Sequence, residues 1–89
     1  FELEQNYPNP FSGETTIIFR LIKPVDEVLF AIYDTRGQLV DEILIRHPFE
    51  GENRFTWKPK TGSGLYLGKM SVRLSSVKSA EKTIKIIVK

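Results

Sequence analysis

Apolar and polar residues alternate with a period of two through much of the chain, and helical spacing of apolar residues is scarce. Three such stretches lie in the first half, at residues 15–22, 28–33 and 38–46, and each is rich in β-branched or aromatic side chains. Both faces of residues 28–33 are apolar, which is typical of a central strand. We therefore predict three strands, the last two joined by a bulged hairpin in which Asp34 caps the turn and Gly37 takes a positive φ.

The second half of the chain carries more alternating stretches, separated by segments rich in Gly, Pro, Asn and Ser. Three further strands are predicted at residues 54–58, 65–74 and 83–88. Residues 75–79 are predicted to form the turn between the last two. Gly68 lies inside one of these strands, where a glycine indicates a bend or a close backbone approach.

Six or seven short strands separated by turns predict an all-β fold, an immunoglobulin-like β-sandwich of two antiparallel sheets. A five-stranded barrel of the oligonucleotide-binding type is the alternative, and the number of strands counts against it. The apolar faces of the strands supply the core. Its expected members include Phe19, Phe30, Ile32, Phe55, Trp57, Ile84 and Ile86.

The length of 89 residues fits one domain, residues 1–89, in which residues 1–14 form an extended leader packed on the sandwich. No apolar run approaches the roughly 20 residues of a membrane-spanning helix, so no transmembrane span is expected. The chain has no Cys, which excludes disulfides and thiolate chemistry. Because the chain begins with Phe rather than Met, we expect it to be one module of a longer protein.

Charge is divided unevenly along the chain. Residues 1–53 carry a net charge of −6, whereas residues 54–89 carry +8, so the overall +2 conceals a strong polarity. If strands from the two halves are neighbours, opposite charges pair across them; if they are not, a basic surface is left for an anionic partner. We expect the paired arrangement, since charge runs usually form solvated faces.

Residues that could carry catalysis are sparse. His47 is the only histidine, so a multi-histidine metal site is excluded, and no local motif positions a serine for a catalytic triad. Gly68 and Lys69 lie in a partial phosphate-loop pattern, but Ser63 stands where that motif needs Gly and Met70 where it needs Ser or Thr. We expect no enzyme activity, no cofactor and no metal.

The sequence pI near 9.0 raises the question of nucleic-acid binding. Most aromatic residues fall in the predicted core phase, however, instead of alternating with Lys and Arg on exposed strands. No nucleic-acid partner is therefore expected.

The segment Tyr7-Pro8-Asn9-Pro10-Phe11 departs from the generic β pattern. Its prolines fix φ at alternating positions and restrict the residues before them, so the segment is preorganised with an aromatic side chain at each end. Two interpretations stay open on the residues alone. The favoured one is a leader that packs its aromatics over one end of the sandwich, and the other is a recognition element.

Several blocks of the chain, in their order and spacing, resemble a known family. They are residues 3–11 with Asn-Pro-Phe, residues 15–19, residues 32–34 with Gly37, Gly51 ahead of residues 55–57, residues 63–66 with Ser-Gly-Leu-Tyr, and residues 85–89. The chain resembles the C-terminal sorting domain of type IX secretion (Por secretion) cargo proteins. The same sandwich pattern is similar to the immunoglobulin-like domain of flagellar hook-capping proteins.

The resemblance implies a non-catalytic C-terminal module that directs a secreted parent protein across the outer membrane to the cell surface or the medium. The partners it implies are the outer-membrane translocation machinery, the parent catalytic or adhesive domain, and lipopolysaccharide. The residues it implies for recognition are Tyr7, Pro8, Asn9, Pro10, Phe11, Gly64, Tyr66, Lys85 and Lys89.

The last predicted strand suits a sorting role, because a strand near a free end can present an edge to a partner. We expect Lys82 and Lys85 on one side of it and Ile84, Ile86 and Val88 on the other.

Two other functions stay open. An accessory carbohydrate-binding module needs a flat row of exposed aromatics, for which Tyr7, Tyr33, Phe49 and Tyr66 are the candidates. A surface-assembly module would instead pair its sheet edges with copies of itself.

Overall fold

The computed structural model describes residues 1–75 and 77–89, which form seven β-strands and no helix. The strands are β1 (Glu2–Leu3), β2 (Thr15–Leu21), β3 (Glu27–Tyr33), β4 (Leu39–Arg46), β5 (Gly51–Trp57), β6 (Gly64–Leu74) and β7 (Val77–Val88). One sheet has the order β1-β2-β5 and the other the order β4-β3-β6-β7, with every neighbouring pair antiparallel. The predicted all-β, immunoglobulin-like sandwich of two antiparallel sheets is confirmed.

The core lies between the two sheets and is built from the inward positions of the strands. Among the predicted members, Phe19, Phe30, Ile32, Trp57 and Ile86 are buried. Phe55 and Ile84 are partly buried and pack against this cluster. The Phe55 ring meets Phe30 and Phe19 edge to face, with ring centroids 5.5 and 6.3 Å apart.

Gly68 is needed because two core side chains occupy the space above it. A Cβ at this position would collide with the Phe30 ring and lie 2.9 Å from Cδ1 of Ile86. The close approach that the sequence indicates is therefore present.

The β3–β4 hairpin has the predicted turn chemistry. Gly37 has φ +84°, and the Asp34 carboxylate accepts hydrogen bonds from the amides of Arg36 and Gln38 at 2.9 and 3.0 Å. These bonds, that from Gln38 foremost, lower the pKa of Asp34 below its ordinary value. The strand register shifts at the end of β3, between Ile32 and Tyr33, as the predicted bulge requires.

The predicted turn at residues 75–79 is wrong in extent, because β7 already begins at Val77; Ser76 of that segment lies outside the described residues. Residues 77–83 are exposed, so no apolar alternation marks them. They are held by backbone pairing to β6, in which Lys82 lies opposite Met70 and Ala80 opposite Val72. The hydrogen-bonded pairing of β6 with β7 thus extends past the part of β7 in which apolar and polar residues alternate.

The expected sides of the last strand also need correction. Lys82 and Lys85 are three residues apart, so alternation sends them to opposite faces. Lys82 shares the face of Ile84, beyond the edge of the core, where its Nζ lies 5.5 Å from the centroid of the Phe1 ring. Lys85 lies on the outer face.

Charge pairing between the two halves of the chain is present but incomplete. Arg54 pairs with Glu52, Arg73 with Glu27 at 3.6 Å, and Lys60 with Asp41 at 4.0 Å. Within the described part of the chain, Lys85 and Lys89 form no ion pair, so the tail retains unpaired positive charge.

Candidate recognition site

The leader is bound to the last strand by backbone hydrogen bonds. The Phe11 amide donates to the Ile87 carbonyl at 3.1 Å, and the Lys89 amide donates to the Phe11 carbonyl at 2.9 Å. Phe11 and Val88 thereby form a parallel bridge at the outer edge of β7. The Tyr7–Pro8 and Asn9–Pro10 peptide bonds, which precede this bridge, are cis.

Two amide side chains extend this contact along the same edge. Asn9 accepts a hydrogen bond from the Ile87 amide through Oδ1 at 2.8 Å and donates through Nδ2 to the Lys85 carbonyl at 3.4 Å. Gln5 Nε2 also donates to the Lys85 carbonyl, at 2.6 Å. The side chain of Asn9 therefore satisfies backbone groups that a neighbouring strand would otherwise bind. We call the contact of Gln5, Asn9 and Phe11 with residues 85–89 the tail clamp.

A buried polar network supports the tail clamp from beneath. Asn6 is buried, and its Nδ2 donates to Thr15 Oγ1 at 3.0 Å and to the Pro8 carbonyl at 3.3 Å. Thr15 Oγ1 in turn donates to the Pro8 carbonyl at 2.8 Å. Because each member has a partner, the network holds the turn between Asn6 and Asn9 in one conformation. The sequence reasoning missed Gln5, Asn6 and Thr15, since isolated polar residues carry no periodic signal.

Three aromatic rings connect the leader with the Ser-Gly-Leu-Tyr block. Phe11 meets Trp57 edge to face at a centroid distance of 6.1 Å, and Trp57 meets Tyr66 in the same way at 6.1 Å. The Tyr66 hydroxyl donates to the Gly62 carbonyl at 2.6 Å. Gly64 has φ +147°, a conformation that favours glycine, and pairs with Val88 across the sheet. Segments 9–11, 64–66 and 85–89 therefore form one end of the sandwich.

The predicted recognition residues divide by exposure. Tyr7, Pro8, Pro10, Gly64, Lys85 and Lys89 are exposed, Asn9 is half-buried, and Phe11 and Tyr66 are buried. The expectation that the leader packs both of its aromatics is wrong for Tyr7, which is 77% exposed because it forms only a backbone bridge with Thr16. Phe11 and Tyr66 can act on a partner only by positioning the surface around them.

The FlgD Ig-like domain model matches residues 5–80, which is most of the chain. This chain belongs to the FlgD Ig-like domain family. Among solved structures, the domain is similar to dimeric latent PorU from Porphyromonas gingivalis, with a TM-score of 0.77 and 24% sequence identity. That similarity covers 97% of this chain and 9% of the PorU chain, and at this identity it establishes the shared fold. No curated protein matches the chain significantly.

Candidate metal ligands do not cluster in the part of this FlgD Ig-like domain that the structure describes. In residues 1–75 and 77–89, no group of three or more His, Asp or Glu side chains could hold a metal ion. His47 is exposed in the loop between β4 and β5. No helix among the same residues is long and apolar enough to cross a membrane.

The aromatic candidates for carbohydrate binding do not form a row in this FlgD Ig-like domain. Tyr66 is buried against Trp57, which removes it from any exposed platform. Tyr7 lies in the leader beside β2, Phe49 in the β4–β5 loop, and Tyr33 on the outer face of β3. The positions of these four aromatic residues therefore do not favour carbohydrate binding over a protein-binding role.

Proposed function

We propose that this FlgD Ig-like domain is a non-catalytic C-terminal sorting module that directs a larger parent protein through type IX secretion to the cell surface or the medium. The observation that carries the proposal is the assembly of three sequence blocks at one end of the fold. Residues 9–11, 64–66 and 85–89 are far apart in the chain, and the sorting-domain resemblance groups them. Hydrogen bonds and ring contacts join all three.

The physical argument is that a sorting signal must present a defined surface. The tail clamp fixes the backbone as far as Lys89, whose amide donates a hydrogen bond to the Phe11 carbonyl. Lys85 and Lys89 are exposed beside it and form no ion pair among the described residues. The tail therefore offers fixed positive charge to the outer-membrane machinery or to the phosphates of lipopolysaccharide.

The similarity to PorU agrees with this proposal in two respects. PorU carries the name of the Por secretion system that the sequence blocks indicate. The similarity also occupies only 9% of the PorU chain, so there the fold is one module of a much larger protein. A sorting module would likewise be one part of a larger protein.

The proposal is tested by fusing a folded reporter ahead of residue 1 and expressing it in a bacterium with a working type IX system. The intact domain should carry the reporter to the surface or medium, and deletion of residues 83–89 should leave it in the periplasm. Because this deletion also removes part of the core, Lys85→Glu with Lys89→Glu is the decisive variant. It should lower export while the urea midpoint stays unchanged.

Two results would contradict the proposal. The first is a reporter that stays in the periplasm when fused to the intact domain. The second is full export of the fusion that carries Lys85→Glu with Lys89→Glu, or of the fusion that lacks residues 83–89.

A further inference from the structure

The outer faces of the two sheets differ in character. On the three-stranded sheet, charged side chains alternate and pair: Arg20 lies between Glu2 and Glu52, with nitrogen–oxygen distances of 3.9 and 3.4 Å, and Glu52 also pairs with Arg54. This is the polar outer face that a sandwich in water normally has. The four-stranded sheet carries an apolar cluster in the corresponding position.

Strand register places the members of this cluster next to one another. Leu67 of β6 lies between Tyr33 of β3 and Lys85 of β7, and Tyr33 lies opposite Leu39 of β4. In the adjacent row Leu65 lies opposite Ile87. We call these five side chains the outer apolar cluster: Tyr33, Leu39, Leu65, Leu67 and Ile87.

The outer apolar cluster is substantially exposed. Leu67 is 37% exposed, Leu65 and Ile87 are each 41% exposed, and Leu39 is 52% exposed. Single exposed apolar residues are normal on a protein surface, but a contiguous group on one sheet face marks an interaction site. An open depression of about 310 Å³, lined in part by Tyr33, Leu67 and Lys69, adjoins the cluster.

Positive charge borders the cluster on two sides. The Nζ of Lys69 lies 5.5 Å from the centroid of the Tyr33 ring, and Lys85 follows Leu67 in the same row. Lys89 lies two residues beyond Ile87. Of the acidic residues near this face, Asp34 also lines the depression but pairs with Arg36 at 3.4 Å. Glu42 is separated from Lys69 by Ala31 of the intervening strand, and Glu81 pairs with Lys78.

We propose that the outer apolar cluster and its lysine border form the surface on which the translocation machinery binds this domain. This inference rests on the proposed sorting function. The occupant is a protein surface with an apolar centre and acidic residues around it, since that composition complements both the leucines and the lysines. A two-fold dimer through this face is disfavoured, because it would bring two sets of lysines into one interface.

The inference is tested with the reporter fusion and variants that leave the tail clamp untouched. Leu67→Glu and Lys69→Glu should each lower the exported fraction by about tenfold, the effect of losing one well-packed or charge-paired contact. Leu44→Glu is the matched control. Leu44 is 43% exposed on the outer face of the same sheet but lies outside the cluster, so export should stay at the level of the intact domain.

Unchanged export with both cluster variants, alongside normal export with the intact domain, would overturn the docking surface and leave the sorting function standing. A fusion that fails to export with the intact domain would overturn both. Lys69 is half-buried beside Tyr33 on the outer face of the sheet. Lys69→Glu therefore leaves the core between the sheets unchanged and guards against loss of export through misfolding. Its urea midpoint should equal that of the intact domain.

Two further measurements test the other possible partners of the outer apolar cluster, a lipid surface and a second copy of the chain. Any retention of the purified fusion by vesicles containing lipopolysaccharide should be the same with and without Lys69→Glu. Retention that Lys69→Glu abolishes would replace the protein partner at this surface with a lipid one. Size-exclusion chromatography should give the same elution volume for the intact domain and for Leu67→Glu. A dimer that Leu67→Glu converts to a monomer would assign the surface to a second copy of the chain.

Discussion

Replacing Asn9 by alanine tests whether the tail clamp depends on the Asn9 side chain, which accepts a hydrogen bond that a neighbouring strand would otherwise accept. Asn9 Oδ1 is the acceptor for the Ile87 amide at 2.8 Å, whereas its donor bond to the Lys85 carbonyl is longer, at 3.4 Å. Gln5 also donates to that carbonyl, at 2.6 Å, so alanine leaves the Lys85 carbonyl satisfied. The Ile87 amide alone loses its partner.

The expected loss of stability follows from the number of hydrogen bonds that the alanine variant lacks. One good neutral hydrogen bond contributes about 1 kcal/mol, and the long second bond adds little. Asn9→Ala should therefore lower the free energy of unfolding by about 1 kcal/mol, a factor of about five in the folded-to-unfolded ratio. The Ile87 amide should exchange faster than this factor predicts, because it no longer needs an opening event to reach water.

Native-state hydrogen exchange followed by NMR measures both effects. In Asn9→Ala the amide of Phe30, at the centre of the four-stranded sheet, should accelerate by about fivefold at most, and the amide of Ile87 by clearly more. Asn9→Asp is the matched variant, since a carboxylate oxygen can still accept from Ile87 and should preserve its protection. Ser12→Ala alters an exposed neighbour in the leader and should change neither amide.

Equal exchange of the Ile87 amide in Asn9→Ala and in the unaltered domain would refute the reasoning. The edge of β7 would then be covered without the Asn9 side chain. Loss of protection in Asn9→Asp as large as in Asn9→Ala would refute it as well, because the acceptor would not be what matters.

Two other predictions concern stability. Gly68→Ala should destabilise the domain by about 1–3 kcal/mol in urea unfolding, since its methyl group would overlap the ring of Phe30; an unchanged midpoint would mean that the core has room there. For Asp34, whose pKa is lowered first by the backbone amide of Gln38, the stabilisation is complete above the ordinary pKa of the carboxyl, about 3.9, and is lost as the pH falls through the lowered one. The urea midpoint should therefore fall more steeply below about pH 4 than in Asp34→Asn, which cannot titrate; parallel pH profiles would contradict this assignment.

The central strands could be predicted from the sequence because the polarity of each side chain matches its burial in the sandwich. β2 and β3 alternate or are apolar on both faces, and their predicted limits, residues 15–22 and 28–33, differ from the observed ones by one residue. The sandwich itself follows from the number and spacing of such strands. Where burial determines which positions are apolar, the sequence pattern is sufficient to locate a strand.

The sequence could not predict the parts of the fold that depend on backbone groups. β1 has only two residues, and the first half of β7 projects beyond the core, so neither carries an apolar pattern. The tail clamp likewise joins Asn9 to Ile87 through hydrogen bonds between residues that are 78 positions apart. Neither composition nor periodicity predicts hydrogen bonds between residues so far apart in the chain.

The predicted recognition residues do not all have the same part in the candidate site. The resemblance grouped Phe11, Tyr66 and Lys89 as equivalent members of one signal, yet two of them are buried and one is exposed. A buried ring cannot touch a partner, but Phe11 fixes the Lys89 backbone, and Tyr66 packs on the tryptophan that supports Phe11. Substitution of either aromatic should therefore act on export through the position and stability of the tail, whereas substitution of the lysine should act on export alone. Stability and export measured together on each variant would separate the residues that build the surface from those that bind the partner.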